Sequence, residues 1–318
     1  MERALLDRFA ADLDALVAPG ARIGIAVSGG PDSLALLLLA AAARPAQVEA
    51  ATVDHALRPE AAAEAAMVGE LCHRLGVPHS VLTVRWSDVP ETAIQERARR
   101  QRYRLLGYWA EEQGVDALAT AHHAGDQAET LLMRLARGSG VKGLAAIRPR
   151  SFAPGSRVRL VRPLLQWPRG ELERICAEAG IAPAADPSNR DPRFERVRVR
   201  SALAGLDWLD PAAIARSAAH LADADEALDW AAAKEWKHHV HERGGLIAYR
   251  PHEAPPEIVR RIVARAIRKL ATEGDPELRG SELERLMGEL ANGGEATLRG
   301  VHCRGGSELR FTPAPPRR

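Results

Sequence analysis

The sequence is short of the residues that build a disulfide framework or a cysteine-based metal centre. Only three of its 318 residues are cysteines, Cys72, Cys176 and Cys303, and they lie far apart. An odd number of widely spaced cysteines without a CxxC pair argues against a structural zinc site, an iron–sulfur cluster and a framework of disulfide bonds. We therefore expect a protein of a reducing, cytoplasmic compartment.

Long apolar runs and a strong net charge are also missing. The longest apolar run covers residues 34–43, which is too short to cross a bilayer, so we expect no membrane partner. Residues 1–17 carry acids and have apolar side chains at helical spacing, which predicts an amphipathic helix and not a signal peptide. Because the formal net charge is only +2, any site for nucleic acid must be local.

What is present is typical of a globular α/β protein with two domains. In the first two thirds, strand-like and helix-like segments alternate, with strands predicted over 22–27, 48–55, 79–86 and 116–121 and helices near 60–75, 91–114 and 124–138. This rhythm predicts a doubly wound, mostly parallel sheet with helices on both faces. Ligands of such sheets bind beyond the carboxyl ends of the strands.

The pattern changes after about residue 205. Helices are predicted over 211–240, 258–270 and 281–293, and short strand signals follow at 245–250, 296–304 and 307–312. We therefore predict a catalytic domain over residues 1–205. Residues 206–318 are predicted to form a second, smaller, mainly helical domain that ends in a β-hairpin.

The segment IAVSGGPDS, residues 25–33, joins the first strand to a helix. Its glycine pair lets a ligand approach the backbone at a helix N-terminus, and the loop offers Ser28, Gly29, Gly30, Pro31, Asp32 and Ser33. It lacks the lysine of GxxxxGK[ST] and the spacing of GxGxxG. A carboxylate beside a phosphate is repulsive without a cation between them, so Asp32 indicates bound Mg²⁺.

Two further polar segments follow predicted strands. VDHALR, residues 53–58, places Asp54 and His55 where the ribose or adenine of a nucleotide would lie. In the segment 121–144, His122, Asp126 and Glu129 are spaced i, i+4 and i+7, which predicts one helical face. Two acids there suit a metal ion or an attacking amine. A solvated polar face or a zinc site is the alternative, although HExxH is absent.

Basic side chains concentrate in two places, and nearly all are arginine, since only four of the 44 basic residues are lysine. Residues 148–200 hold twelve arginines and six acids, among them Arg162, Arg196 and Arg200. Arginine forks suit phosphates. In ARRQRYRLL, residues 98–106, Arg99 and Arg102 flank Tyr103. The alternative for both segments is a solvated charged face.

The loop SGGPDS resembles the pyrophosphate-binding loop of the N-type ATP pyrophosphatases, the PP-loop superfamily. The other segments resemble elements of one of its families, the tRNA(Ile)-lysidine synthetases. VDHALR is similar to the family element VDHGLR, and residues 121–144 are similar to HHxxDQxETxLxxLxRGSGxxGL. Residues 98–106 are similar to ARxxRYxxL, and residues 162–200 contain segments similar to RPLL and DPSN…F.R..R. One departure is Val197, where the family favours asparagine.

The resemblance implies a fold like the adenine nucleotide alpha hydrolases, with ATP and Mg²⁺ as cofactors. It implies that the family's ligase reaction joins free L-lysine to C2 of the wobble cytidine of tRNA(Ile) with a CAU anticodon, through an adenylated cytidine. The implied catalytic residues are Asp32, His122, Asp126 and Glu129, with Asp32 and Asp126 as metal ligands. ATP would contact residues 28–33, Asp54 and His55, and tRNA would contact Arg99, Arg102, Arg162, Arg196 and Arg200. Because the chain ends at residue 318, it resembles a short member of the family, whose C-terminal domain binds tRNA.

Three alternatives remain at this point. A tRNA thiolation enzyme of the same fold would want a catalytic cysteine near the motifs, and an amide-forming synthetase would not need the basic segment. A non-catalytic tRNA-binding protein would not need Asp32 or Asp126. The sequence leaves open the lysine pocket, the division of roles between Asp126 and Glu129, the rejection of methionine tRNA, and whether the chain forms a homodimer.

Overall fold

A computed structural model of the chain describes residues 2–57, 60–86, 94–184, 191–271 and 278–314. It divides into two compact units. The first comprises Met1–Gly138 and Gly143–His220, and the second comprises Ser139–Lys142 and Leu221–Arg318. Among the described helices, none is both long enough and apolar enough to span a membrane.

The first unit is built on a six-stranded sheet in the order β3-β2-β1-β4-β6-β5. All neighbours run parallel except β5 and β6, which are antiparallel. The strands are β1 (Ile23–Ala26), β2 (Val48–Asp54), β3 (His79–Thr83), β4 (Ala117–Ala119), β5 (Arg150–Phe152) and β6 (Arg159–Val161). The chain winds outward from β1 to β3, then returns to β4 on the other side of β1. The strand order therefore switches between β1 and β4, and that is where such sheets open a ligand crevice at their carboxyl edge.

Side chains of β1 alternate between two apolar cores. Ile23 and Ile25 belong to a core built with helices on one face, whereas the position of Gly24 faces Trp109 on the other face. Successive residues of a strand point to opposite faces, so the sheet is covered on both sides. The helices of this part of the chain are α1 (Arg3–Asp14), α2 (Pro31–Ala43), α3 (Glu60–Leu75), α4 (Ile94–Gln113), α5 (Ala124–Leu135), α6 (Val141–Leu144), α7 (Arg169–Glu178) and α8 (Glu195–Ala204). Helices α1, α2, α3 and α7 contribute to the first core and α4 to the second.

The predicted fold class is confirmed. Each predicted strand and helix of the first two thirds is present, with ends that differ by a few residues. The elements β5, β6, α7 and α8 were not predicted, because the strands are only three residues long and α7 and α8 are rich in charge.

The second unit contains a five-stranded antiparallel sheet in the order β7-β8-β11-β10-β9. Its core joins Tyr249 and Phe311 from the sheet to Ile262 and Leu286 from two helices. The elements after α8 are α9 (Pro211–His239, in this unit from Leu221), β7 (Val240–Arg243), β8 (Leu246–Tyr249), α10 (Pro256–Leu270), α11 (Gly280–Ala291), β9 (Glu295–Leu298), β10 (Val301–Arg304) and β11 (Leu309–Pro313).

This sheet is larger than the predicted hairpin, because two tight turns were not recognised in the sequence. Arg299 and Gly300 both have positive φ, 52° and 70°, and they split the segment 296–304 into β9 and β10. Gly244 and Gly245, with φ of 56° and 80°, turn β7 into β8. Positive φ at both central residues is the geometry that favours two-residue hairpins.

The close contact of β1 with α4 generates a prediction about stability. A Cβ at Gly24 would lie 2.7 Å from Cζ3 of Trp109, and Trp109 is itself buried. We expect Gly24→Ala to lower the free energy of unfolding by about 1–3 kcal/mol through overpacking, measured by urea denaturation.

The matched control is Gly170→Ala, at an exposed helical position where a Cβ would meet nothing within 4 Å. It should leave stability unchanged or raise it by up to ~1 kcal/mol. Equal stability of both variants would contradict the tight β1–α4 packing.

Candidate active site

The loop after β1 is held in shape by its own serines. The hydroxyl of Ser33 donates to the carbonyl of Gly30 (3.0 Å) and accepts from the backbone N–H of Ser28 (3.1 Å). Gly29 has φ of 79° and is buried, and its carbonyl accepts from the N–H of Ala184 at 2.9 Å. Gly30 is the N-cap of α2 and Pro31 its first residue. The loop therefore presents the N-terminus of α2 at the carboxyl edge of the sheet, which is a site for an anion.

Asp32 faces a second acid across a histidine ring. Nε2 of His123 lies 3.7 Å from Oδ2 of Asp32 and 3.7 Å from Oδ2 of Asp126. Nδ1 of the same ring accepts from the N–H of Gly125 at 3.0 Å, so the ring proton lies on Nε2, between the two carboxylates. Helices α2 and α5 thus bring their first-turn acids together at the switch point of the sheet.

The two acids have opposite shifts in pKa. Burial raises the pKa of the Asp32 carboxyl, and the charge of Asp126 adds to that effect, against the opposing effect of His123. Burial acts on Asp126 in the same direction, but the His123 ring, the Arg196 guanidinium and a backbone N–H outweigh it and lower the pKa of Asp126. Asp126 is therefore ionised at neutral pH, whereas burial disfavours the charged form of Asp32.

His123 and Asp126 also cap helix α5. His123 is the N-cap residue, and its backbone N–H donates to Oδ2 of Asp126 at 3.0 Å. The helix begins at Ala124, so the prediction that His122 shares a helical face with Asp126 and Glu129 is wrong. His122 lies before the helix, where its Nδ1 is 3.0 Å from the hydroxyl of Thr120. Burial lowers the pKa of His122 to about 3, which leaves the ring neutral.

Glu129 forms ion pairs with two arginines of α8. Its Oε2 accepts from Nε of Arg196 and its Oε1 from Nε of Arg200, both at 2.5 Å. Nη2 of Arg196 also reaches Oδ1 of Asp126 at 2.7 Å. Glu129 is buried, with only 2% of its surface exposed, so the two guanidinium groups compensate a carboxylate that water does not reach.

The other arginines that were predicted to contact tRNA have different surroundings. Arg162 is buried, and its Nη1 donates to the carbonyl of Arg148 at 2.7 Å and to the hydroxyl of Ser151 at 3.1 Å. Arg99 and Arg102 both stack on Tyr103, with the guanidinium carbon 5.0 and 5.4 Å from the ring centre. Arg99 is exposed, whereas burial lowers the pKa of Arg102.

The second motif is placed only in part. Asp54 ends β2, and its Oδ1 accepts from the N–H of Ala56 at 2.8 Å. The carbonyl of His55 accepts from Nε1 of Trp86 at 2.7 Å. Arg58 and residues 186–190 of the predicted basic segment lie outside the described residues.

One oxygen of this site fits a cation. Oδ1 of Asp32 is buried and has no hydrogen-bond partner among the described residues, whereas both oxygens of Asp126 already accept hydrogen bonds. In the described part of the chain, no group of three or more His, Cys, Asp or Glu side chains forms a complete metal site. Asp32 is therefore the better placed of the two predicted ligands, and a phosphate would have to complete the coordination of Mg²⁺.

Two residues of the site were missed in the sequence. His123 was passed over in favour of its neighbour, because histidine is not among the residue types that usually signal an N-cap. Gln127 is buried, and its side-chain amide donates to the carbonyl of Ile147 (2.9 Å) and accepts from the N–H of Ile147 (2.7 Å). It fixes the segment that follows α6, and no local pattern could have revealed that partner.

The ion pairs of α8 generate a prediction, since the buried Glu129 of α5 binds two arginines of α8, whereas the exposed Glu195 of α8 binds Arg137 just beyond α5. Glu129→Gln leaves Arg196 and Arg200 facing an amide, and we expect a loss of about 2–3 kcal/mol, because breaking a buried pair leaves charge uncompensated. Urea denaturation measures it.

Glu195→Gln removes the exposed pair between the same regions, Arg137 with Glu195. Such a pair is worth about 0–1 kcal/mol, so this variant is the control. A Glu129→Gln protein as stable as the Glu195→Gln protein would show that the buried pairs do not hold α8.

Comparison with known proteins agrees with this geometry. The PP-loop domain family matches residues 4–206. The tRNA(Ile)-lysidine synthase of Zymomonas mobilis subsp. mobilis is 46% identical over 299 residues, which cover 93% of this chain and 90% of that protein. The tRNA(Ile)-lysidine synthase of Novosphingobium aromaticivorans is 46% identical over 314 residues, 98% of this chain and 94% of that protein.

A solved structure shows the fold independently. The U34-tRNA thiolase NcsA from Methanococcus maripaludis, described with its [4Fe-4S] cluster, superposes with a TM-score of 0.55. The alignment covers 69% of this chain and 78% of the thiolase chain at 16% identity. At that identity it supports only the fold. By the extent and identity of the sequence matches, the chain belongs to the PP-loop proteins and, among them, to the tRNA(Ile)-lysidine synthase family.

Proposed function

We propose that the chain joins lysine to the wobble cytidine of tRNA(Ile) with a CAU anticodon, with conversion of ATP to AMP and pyrophosphate. One observation carries the proposal. The first-turn acids of α2 and α5 face each other across His123, beside the loop SGGPDS, at the point where the strand order switches. We expect the enzyme to act in the cytoplasm.

The loop is suited to hold the pyrophosphate that leaves. It offers a helix N-terminus and a glycine that permits close approach, and it has no lysine that would follow a transferred γ-phosphoryl group. Asp32, whose Oδ1 has no hydrogen-bond partner in the described part of the chain, would hold Mg²⁺ there. That ion would supply positive charge to the departing pyrophosphate. Asp54 and His55, after the neighbouring strand β2, are proposed to contact the nucleoside.

The chemistry has two stages. The C2 oxygen of the cytidine attacks the α-phosphate of ATP, which forms an adenylated cytidine and releases pyrophosphate. The ε-amine of lysine then attacks C2 and expels AMP. A carbonyl oxygen is a poor leaving group until it is adenylated, so the first stage makes the second possible.

We propose different roles for the two acids on α5. Glu129 has both oxygens committed to arginines, which makes it a positioning residue for Arg196 and Arg200. Asp126 has a lowered pKa and a partly exposed carboxylate, so it suits an ammonium group or a metal ion. Neutral His122 beside it is able to accept a hydrogen bond from an amine. Residues 1–205 are proposed as the catalytic domain and residues 206–318 as the tRNA-binding domain.

Lysine incorporation tests the function directly. Purified protein is incubated with ATP, labelled lysine and a transcript of tRNA(Ile) with a CAU anticodon, and the label in the tRNA is counted. We expect incorporation that depends on ATP and on the cytidine at the wobble position. Thiolation of the tRNA, or amide synthesis without tRNA, would replace the proposal.

Variants of the two facing acids separate chemistry from folding. We expect Asp32→Asn and Asp126→Ala each to reduce pyrophosphate release by at least about 100-fold, since each removes a charge from the site where charge develops. Release at the wild-type rate by either variant would contradict the assignment of that residue.

Thermal unfolding in EDTA without nucleotide is the control for folding. The folded-state pKa of Asp32 is raised, so the native state holds its proton more tightly and loses stability as the pH rises through that pKa. Asp32→Asn removes this loss. The variant should therefore melt at least as high as wild type at neutral pH, and below pH 4 the advantage should disappear.

A further inference from the structure

The outer side of helix α4 carries a row of arginines that the site does not use. Arg97, Arg100, Arg104 and Tyr108 follow one another at intervals of three, four and four residues, so they share one side of the helix. All four are exposed, and Tyr108 is 64% exposed. We name this side the α4 arginine face. It is separate from Arg99 and Arg102, which stack on the buried ring of Tyr103.

The cations of this face are available to an anion. Among the described residues, Arg97 and Arg104 have no carboxylate within ion-pair distance. Arg100 pairs only with Glu96, at 3.2 Å, and both side chains are about three quarters exposed, at 74% and 73%. An exposed pair of this kind contributes little to stability, so a phosphate can displace Glu96 at little cost.

Several other arginines that the sequence offers for RNA are already bound within the protein. Arg196 and Arg200 hold Glu129, and buried Arg162 donates to a backbone carbonyl and to a serine hydroxyl. Helix α10 looks basic in sequence, yet Arg261 pairs with Asp225 and Asp229, and Lys269 pairs with Glu242. Arg265 of the same helix stacks on Trp236 at 4.3 Å. Phosphate contact at these positions would first require an internal contact to break.

The face begins at the side of the sheet where the reaction takes place. The C-terminal end of α4 lies at the amino edge, because Asp116, just beyond it, accepts from the N–H of Arg22 before β1 at 2.9 Å. Its N-terminal end therefore points to the carboxyl edge, and the charge of Arg99 acts on His122 there. From Arg97 to Tyr108 the face extends over roughly 16 Å at 1.5 Å per residue.

We propose that the α4 arginine face binds the sugar–phosphate backbone of the tRNA next to the cytidine that enters the site, with Tyr108 against a base or ribose. This inference rests on the proposed function, since it takes the substrate RNA as the occupant. Exposed arginines and an exposed aromatic ring at helical spacing are the surface that RNA backbones and bases bind. The three arginines of the face outnumber the two acids on the same side of the helix, Glu96 and Glu112, which disfavours an arginine-rich partner protein.

A charge-matched pair of double variants tests the arginines in the full-length protein. Arg97→Gln with Arg104→Gln removes two cations of the face. Arg3→Gln with Arg74→Gln removes two exposed cations from α1 and α3, which pack on the opposite side of the sheet. The affinity for the tRNA transcript is measured between 50 and 200 mM salt, together with KM for tRNA and for ATP.

We expect the α4 variant to bind tRNA about 10-fold or more weakly at 50 mM salt, with the slope of log K against log salt reduced by about 1.5–2. Its KM for tRNA rises in proportion and its KM for ATP stays as in the control variant. The control keeps the wild-type slope. Equal slopes and equal KM for tRNA in the two variants would overturn the inference, and loss of affinity without a change in slope would overturn it as well.

Tyr108 gives an independent readout. Tyr108→Ala should weaken tRNA binding by about 5- to 100-fold without a change in salt slope, since stacking on a base carries no counterion release, and Tyr108→Phe should restore it. The failure of this inference is distinguishable from failure of the proposed function. If the wild-type protein incorporates lysine and the α4 variant behaves as the control, only the proposed binding face is wrong. If the wild-type protein does not incorporate lysine, the proposed function itself is wrong.

Discussion

Charge balance at the carboxyl edge of the sheet is the constraint on which the site depends. Asp32, Asp126 and Glu129 come from two helix starts that the fold brings to the same crevice, and three carboxylates there repel one another. The protein balances them with the ring proton of His123 and with two guanidinium groups from α8. The position of α8 is therefore tied to the charges of the site as well as to the apolar contact of Ala128 with Leu203 and Ile214.

One carboxylate oxygen of the site, which lies at the phosphate loop, is left out of this charge balance. Oδ1 of Asp32 is buried without a partner among the described residues, and burial raises the pKa of this carboxyl. A protein rarely keeps such a group unless something else completes it. A cation that arrives with a triphosphate would do so, which links the electrostatic cost in the free protein to binding of the nucleotide.

The fold and the residue types of the site were predictable from the sequence because both depend on local pattern. The alternation of strands and helices and the glycine pair after β1 can each be recognised from a stretch of about ten residues. Partners that are distant in the chain were not predictable. Arg196 and Arg200 were expected to contact tRNA, and the structure gives them carboxylate partners about 70 positions away. His122 was placed on a helix that starts two residues later, because spacing alone does not show where the N-cap lies. In the second unit, the turn at Arg299 and Gly300 was missed because arginine rarely adopts positive φ.

Arginine suits this charge balance better than lysine would. Arg196 donates from Nε to Glu129 and from Nη2 to Asp126, and a single ammonium group on a flexible stem does not fix two carboxylates in this way. An arginine that is bound on two sides is also poorly available to a phosphate. Arginine content alone therefore says little about where RNA binds, and the informative quantity is which guanidinium groups remain without a carboxylate. Among the described residues, Arg97 and Arg104 on the outer side of α4 meet that criterion, whereas Arg196 and Arg200 of the basic segment 148–200 do not.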